Sequence, residues 1–455
     1  MLRVAVIGSG PAGVYAVGAL TERDDVLVDV IDRLPCPFGL VRYGVAPDHP
    51  KIKSISSALR KLIEHPAVRF LGNVEVGAHV TLDELHRHYD AVLFASGAAI
   101  DRRLAIPGED LPGSFSATDF VAWYSGHPDA PVDRFRLDAR AVAVIGAGNV
   151  ALDVARMLAK SVDELRATDV PDHVLSRLED SHVEEIHVIA RRGAVQAKFT
   201  TKELREVGEL TNADVLVDPA DLELDAASQA RATEPIVRRN LEELREWAQR
   251  SPSGRPRRIH LRFRLRPLEV LGERCVTGIR LERTRLDPDG NAAGTGEIRT
   301  LDVQMVLRSV GYRGLPIAGM PFDERTGTVP NAAGRVLRGG APSSGEYVAG
   351  WIKRGPTGVI GTNKKDARET VTSLLADATS GPRAPIRDPD ALPQLLAARG
   401  VSVVTWQGWC AIELAEAELG RAQGRDRLKI TDRTALLRAA AKGARAPTGT
   451  PTVSL

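Results

Sequence analysis

A chain of 455 residues with 43% hydrophobic and 26% charged residues has the composition of an ordinary globular protein of two or three domains. Its formal net charge of +2 gives no global reason to expect a nucleic acid or a membrane surface as partner. Its three cysteines, Cys36, Cys275 and Cys410, stand far apart, which excludes a disulfide framework, a zinc site and an iron–sulfur cluster, and points to a reduced, cytoplasmic setting.

The N-terminus opens on Val4-Ala-Val-Ile-Gly8-Ser-Gly10-Pro11-Ala12-Gly13. A β-branched run predicts a buried parallel strand over residues 4–7, and Gly-x-Gly-x-x-Gly turns it into a helix over 12–20. In that context one glycine makes the tight turn, one admits a pyrophosphate, and one packs helix on strand. The helix start then offers unpaired N–H groups and a positive dipole end to the phosphates. The same glycines and Pro11 interrupt the apolar stretch after Arg3, which is therefore not read as an export signal. No apolar run in the chain reaches the roughly 18 residues of a membrane helix. The next strand, 27–31, ends at Asp32, near the spacing at which an acid receives a ribose hydroxyl; an acid there also serves as a turn or cap residue. A Pro- and Gly-rich stretch (34–50) precedes a helix over 51–64, an extended segment over 68–76, and a buried strand within 89–98.

After a turn-rich crossing at 107–112, a second fingerprint follows: Val142-Ala-Val-Ile-Gly146-Ala-Gly148-Asn149-Val150-Ala151. Its first helix is extended by residues 153–165, with a helical excursion at 168–180. Its second strand, 186–190, ends in Arg191 and Arg192, where an NAD site would carry an acid. Two guanidiniums offer forked, charge-assisted donors to a 2′-phosphate, which predicts NADP over NAD; a solvated basic turn is the plainer reading. A charged amphipathic helix is expected at 234–250, strands at 258–271 and 276–286 with their turn at 287–295, and a strand at 301–309 leading to Tyr312. A further strand closes at 345–351 and a helix follows at 362–375. The segment 385–442 reads as a C-terminal appendage with helices at 406–420 and 432–441, and 443–455 as a disordered tail. The fold class is α/β: two Rossmann-like, three-layer dinucleotide-binding domains. An NADP-binding domain (101–312) is inserted in a discontinuous FAD-binding domain (1–100 and 313–442). Two such fingerprints in one chain point to a flavin and a nicotinamide held together for electron transfer.

The segments Gly39-Leu-Val-Arg-Tyr-Gly-Val-Ala-Pro-Asp-His49-Pro-Lys, Gly148-Asn-Val-Ala-Leu-Asp-Val-Ala-Arg, Phe199-Thr-Thr-Lys-Glu203-Leu-Arg-Glu206 and Gly350-Trp-Ile-Lys-Arg-Gly-Pro-Thr-Gly358-Val-Ile-Gly-Thr-Asn occur in this order. Together they resemble the adrenodoxin-reductase-like ferredoxin–NADP⁺ reductases, from Met1 to about Ala376. Two departures are minor: Ala147 replaces a usual polar residue, and Ser96 a usual Thr. The resemblance implies an enzyme that passes a hydride from NADPH to FAD and then single electrons to a separate iron–sulfur ferredoxin; a monomer is expected, though nothing in the sequence fixes the oligomeric state. It implies FAD contacts at Ala12, Asp32, Leu40, Val76, Trp351, Gly358, Val359 and Ile360. It implies NADP contacts at Arg102, Asn149, Val150, Ala151, Leu152, Arg191, Arg192, Glu203 and Gly358.

The resemblance also places His49 near the flavin with Asp153 and Glu206 beside it. A histidine with a carboxylate partner can buffer charge during reduction; equally, it can be a hydrogen-bonded residue that only positions its loop, and Asp153 a helix-surface acid. Trp351 is expected as an indole beside the flavin rather than core packing. Arg238, Arg239 and Arg245 form a basic face to steer an acidic ferredoxin, against which stands an ordinary solvated helix diluted by Glu242, Glu243 and Glu246. Two other functions share these motifs. One is an NADPH-dependent flavin subunit or quinone or dye reductase; the other is an FAD- and NADP-holding redox sensor that does not turn over.

Overall fold

The computed structural model of the protein describes residues 1–443 apart from 288–289, 380 and 382. Residues 444–455 of the expected tail lie outside the described residues; Gly443 itself ends the helix Arg433–Gly443.

A seven-stranded sheet runs in the order Asn331–Ala332, Arg335–Arg338, Ala341–Val348, Ala91–Phe94, Leu2–Ile7, Val26–Asp32, Val68–Gly72. The last five pair in parallel, with Val4 opposite Val28 and Val6 opposite Leu93. Both faces are covered, as a parallel sheet requires. Val4, Val6, Val28 and Val30 face the layer holding the helices Pro11–Leu20 and Thr362–Asp377, while Ala5, Ile7 and Ile31 face a second buried layer. A second, all-parallel sheet has the order Ser114–Ser116, Met305–Arg308, Ala141–Ile145, Glu185–Ile189, Arg257–Arg262, Ala213–Val217. Val142 and Val144 face one core there, and Ala143 and Ile145 another. Between the sheets the chain crosses twice, and the two crossings pair antiparallel as Ile100–Asp101 and Tyr312–Arg313.

Several expectations need correction. The strand expected over 258–271 is two: Arg257–Arg262 stays in the parallel sheet, and Leu265–Leu271 enters a three-stranded antiparallel sheet. The break is at Arg264, whose φ of 56° lies in the left-handed region. The third strand of that small sheet, Ala292–Leu301, begins inside the expected turn. The helix expected over 51–64 is broken into Pro50–Lys53 and Ile55–Ile63. The extended segment at 68 stops at Gly72, because Asn73 takes a φ of 60°. Trp351 starts a short helix, Trp351–Arg354, after Gly350 at φ 78°, rather than closing the preceding strand.

The C-terminal segment is no appendage to the core. Trp409, Ile412 and Leu436 are fully buried in the first domain, and Trp409 meets Phe38 edge-on at 6.2 Å. Arg42 and Glu416 form a buried ion pair at 2.5 Å. Lys429 donates to the carbonyls of Arg42 (3.0 Å) and Ser125 (2.9 Å) and pairs with Asp169 at 3.0 Å. The segment thereby fastens the first glycine loop's surroundings to the second domain.

Candidate flavin and nicotinamide sites

Each glycine loop combines closeness with open space. A Cβ on Gly8 would lie 2.6 Å from the Ala95 carbonyl oxygen, and one on Gly13 would lie 1.9 Å from that of Gly8. At Gly10, by contrast, a Cβ would meet nothing within 4 Å. The second loop repeats this: a Cβ on Gly146 would collide with the Ser309 carbonyl oxygen, and Gly148 is open. The helices that follow, Pro11–Leu20 and Asn149–Ala159, start at Gly10 and Gly148 with no side-chain cap. Two tight turns therefore each present uncapped helix N–H groups to free space, which is the form a pyrophosphate needs.

Around the first loop the sequence-predicted residues gather from distant segments. Phe38 N donates to Ser9 O (3.0 Å), and Gly39 packs against Gly10, so Leu40, 39% exposed, sits beside the loop. Gly350 approaches so closely that a Cβ would lie 2.5 Å from that of Ala12, which brings Trp351 there too. Asp32 braces the loop: its carboxylate accepts from Ser9 N (2.8 Å), Ser9 Oγ (2.5 Å) and Leu34 N (2.9 Å). Val74 N donates to Asp32 O, which leaves half-buried Val76 just beyond the same strand end. Gly358 has a φ of 80°, and Val359 after it is 67% exposed while Ile360 leans on the core.

At the second loop, Asn149 Oδ1 accepts from Thr200 N (2.9 Å) and Lys198 N donates to Ala147 O (2.8 Å), so the segment carrying Glu203 and Glu206 is tied to it. The side chains of Ala151 and Leu152 are fully buried in the second core, so any ligand contact from them is through the backbone. Val150 is half-buried. Glu203 is 9% exposed and its Oε2 is buried with no hydrogen-bond partner among the described residues. An orphaned acceptor of this kind calls for a donor from a ligand. Arg191 is exposed and Arg192 half-buried, and neither forms an ion pair among the described residues. Burial, then the neighbouring charges of Arg191 and Arg231, push the Arg192 guanidinium below its ordinary value. Arg102 lies at the crossing, donating to the carbonyls of Tyr312 (3.4 Å) and Thr326 (3.2 Å).

Between the loops a charged cluster assembles. His49 Nε2 donates to Glu206 Oε2 at 2.7 Å, and His49 is 6% exposed. Arg156 bonds Asp48 and Asp153 (2.6 Å to the latter) and comes within 4.0 Å of Glu206, while Lys160 reaches Asp48 at 3.1 Å. Burial holds the Asp153 carboxyl above its ordinary range, against the opposing charges of Arg156 and His49. Asp153 is thus no surface acid. Burial also pushes the Tyr312 hydroxyl up to about 12, with the Asp153 charge adding to it. The Tyr312 and Trp351 rings lie 5.3 Å apart, and Trp351 Nε1 donates to Thr357 O (3.2 Å). His49, Asp153 and Glu206 are therefore one cluster, with Tyr312 and Trp351 as its aromatic neighbours. Asp48, Arg156, Lys160, Arg231 and Tyr312 were not singled out as site residues. Asp48 adjoins His49, and Arg156 follows Asp153 by one helical turn, a readable spacing.

Known proteins resemble this chain over nearly its whole length. A family model described as pyridine nucleotide-disulphide oxidoreductase matches residues 2–221. The disulfide of that description has no counterpart here, since all three cysteines are free. NADPH-ferredoxin reductase FprA of Mycobacterium tuberculosis is 47% identical over 451 residues, covering 96% of this chain and 98% of the relative. The mitochondrial NADPH:adrenodoxin oxidoreductase of Arabidopsis thaliana is 40% identical, over 97% of this chain and 95% of its own. The structure of M. tuberculosis FprA in complex with NADPH superposes with a TM-score of 0.92 at 45% identity, covering 97% and 99% of the two chains. The chain belongs to the adrenodoxin-reductase-like ferredoxin–NADP⁺ reductases.

Proposed function

We propose that the protein is an FAD-dependent NADPH–ferredoxin oxidoreductase acting as a monomer. The observation that carries this reading is the Arg191–Arg192 pair, without ion-pair partners among the described residues, beside a glycine loop with open space at Gly148, in a chain that has a second such loop at Gly10. FAD supplies the chemistry when bound, taking a hydride from NADPH and releasing electrons singly to a separate iron–sulfur protein. The first sheet's residues Gly8, Gly10, Pro11, Ala12, Gly13, Asp32, Leu40 and Val76 hold it, closed over by Trp351, Gly358, Val359 and Ile360. Gly146, Gly148, Asn149, Val150, Ala151 and Leu152 hold the nicotinamide nucleotide's pyrophosphate. Arg191 and Arg192 take its 2′-phosphate, Glu203 accepts from one of its donors, and Arg102 and Gly358 complete the site.

The chain's own work is positioning and shielding. Trp351, set against Tyr312, screens the meeting point from water. His49 and Glu206 fix the loop over residues 45–50 and hold one proton between Nε2 and Oε2. Because hydride transfer needs alignment more than a general acid, His49→Gln is expected to slow flavin reduction by NADPH no more than about tenfold; a loss of about 10²–10⁴ would put proton transfer in the limiting step. Stopped-flow bleaching of the flavin measures this.

Arg238, Arg239 and Arg245 are all exposed on the helix Pro235–Gln249. Arg239 also lines an open groove of about 740 Å³, where Lys202 and Arg205 are balanced by Glu206, Glu209 and Glu242. The three exposed arginines of this helix are the face that steers an acidic ferredoxin toward the junction. The double reversal Arg238→Glu, Arg239→Glu is expected to raise the ferredoxin KM about tenfold or more at low salt and to leave NADPH-driven ferricyanide reduction unchanged. Unaltered ferredoxin kinetics would remove this face from the docking site.

A further inference from the structure

The 2′-phosphate reading leaves one cation near Arg192 unexplained. Arg191 and Arg192 follow the strand Glu185–Ile189 and lead through Gly193 into the single turn Ala194–Gln196. That turn is docked from outside: buried Gln196 donates through Nε2 to Ser228 Oγ at 3.0 Å, and Ser228 is 2% exposed. Ser228 belongs to the short helix Ala226–Arg231, where Asp225 Oδ1 accepts its N–H at 2.8 Å. Arg231 stands three residues on, on the same helix face as Ser228. The Gln196–Ser228 bond therefore delivers Arg231 to the loop of Arg191 and Arg192.

The loop's backbone is braced at the same time. Arg192 O accepts from Arg264 N (3.1 Å), Arg191 O accepts from Thr284 Oγ1 (2.7 Å), and Arg264 Nη2 donates to Glu223 O. Arg264 is the residue at φ 56°, so the chain adopts an unfavourable conformation where it buttresses this loop. Arg191 and Arg192 thus precede a braced turn, and the short helix docked on that turn carries Arg231. Arg231 Nε also donates to Glu234 at 3.0 Å on the surface, each side chain about half exposed. Like charges gathered in this way repel, and a dianionic phosphate ester relieves all three at once.

We propose that Arg231 is a third arginine of the 2′-phosphate site and a determinant of NADPH over NADH. The proposal rests on Arg191 and Arg192 binding that phosphate. Burial and the flanking charges of Arg191 and Arg231 depress the Arg192 guanidinium, in keeping with this placement.

The test uses the flavin-loaded protein with ferricyanide as acceptor, measuring kcat/KM for NADPH and for NADH in R231A, R231K and R191A/R192A, together with inhibition by 2′,5′-ADP and 5′-AMP. R231A is expected to lower the NADPH/NADH ratio about tenfold and to weaken 2′,5′-ADP to the same degree, with NADH and 5′-AMP unchanged and R231K recovering most of the loss. A ratio for R231A within about twofold of the parent, while R191A/R192A collapses it, would overturn the role of Arg231 and keep that of the pair. If the double variant also keeps the ratio, both assignments fall. Should R231A not fold, R231Q supplies the same ratio.

Discussion

Replacing Arg191 and Arg192 together with alanine is expected to lower the NADPH/NADH preference by about 10²- to 10⁴-fold. Each charged hydrogen bond to a phosphate is worth about 1.5–3 kcal/mol, and two of them set this range. Arg191 is exposed, so part of its contribution is screened, and Arg192, half-buried, carries the larger share. The loss must appear in NADPH: neither guanidinium has a protein partner among the described residues, so removing it leaves no buried charge behind. NADH kinetics should stay level, and raising the salt should shrink the parent's preference more than the variant's. Steady-state kcat/KM for the two nucleotides measures all of this. An unchanged ratio would return the pair to a solvated basic turn.

The second large effect is on stability. Glu416→Ala is expected to cost about 3–5 kcal/mol, because it strands a buried cation. The Arg42 side chain is 5% exposed and that of Glu416 0%, and they meet at 2.5 Å. Glu416 Oε1 also accepts from Ile430 N (3.0 Å), so the substitution leaves a main-chain donor without its acceptor. The Arg42 guanidinium lies 5.0 Å from the Trp409 ring centre and 4.9 Å from that of Tyr43, neither of which replaces a carboxylate. Arg42 belongs to the helix Leu40–Tyr43 beside Gly10, so flavin retention should fall along with the urea midpoint. The apolar double replacement Arg42→Met, Glu416→Leu should cost less than Glu416→Ala alone, since it removes both charges. If the double variant costs more, the pair itself is net stabilising.

What could be read from the sequence follows from what burial does to residue choice. The strands Leu2–Ile7 and Ala141–Ile145 are covered on both faces, so from Val4 and from Ala141 onward they are written as β-branched and small apolar runs leading into glycine. Ala292–Leu301 has no such signature: most of it is exposed, and its first residues, with Gly294 among them, read as part of the turn at 287–295. Arg262-Phe-Arg264-Leu-Arg266 alternates as one strand would, and only the backbone at Arg264 sends its two halves to different sheets. The C-terminal helices looked like an addition because Arg42 and Glu416 are 374 residues apart. Nothing local announces a pair at that separation. Likewise His49 and Glu206 are brought together by tertiary folding, and it was the family resemblance that set them near each other. The charged residues Asp48, Arg156 and Lys160 supply the cluster's balance, and a charge on a helix is ordinarily a solvated one.

Electrons are to pass from NADPH through a bound flavin to an iron–sulfur protein. The measurement that tests it most directly is anaerobic reduction of cytochrome c by NADPH with the flavin-loaded protein, with and without an added low-potential ferredoxin. Strong stimulation by ferredoxin is the predicted result. A flavin that bleaches with NADPH while ferredoxin adds nothing would contradict the relay and leave only hydride transfer from the nicotinamide to the flavin.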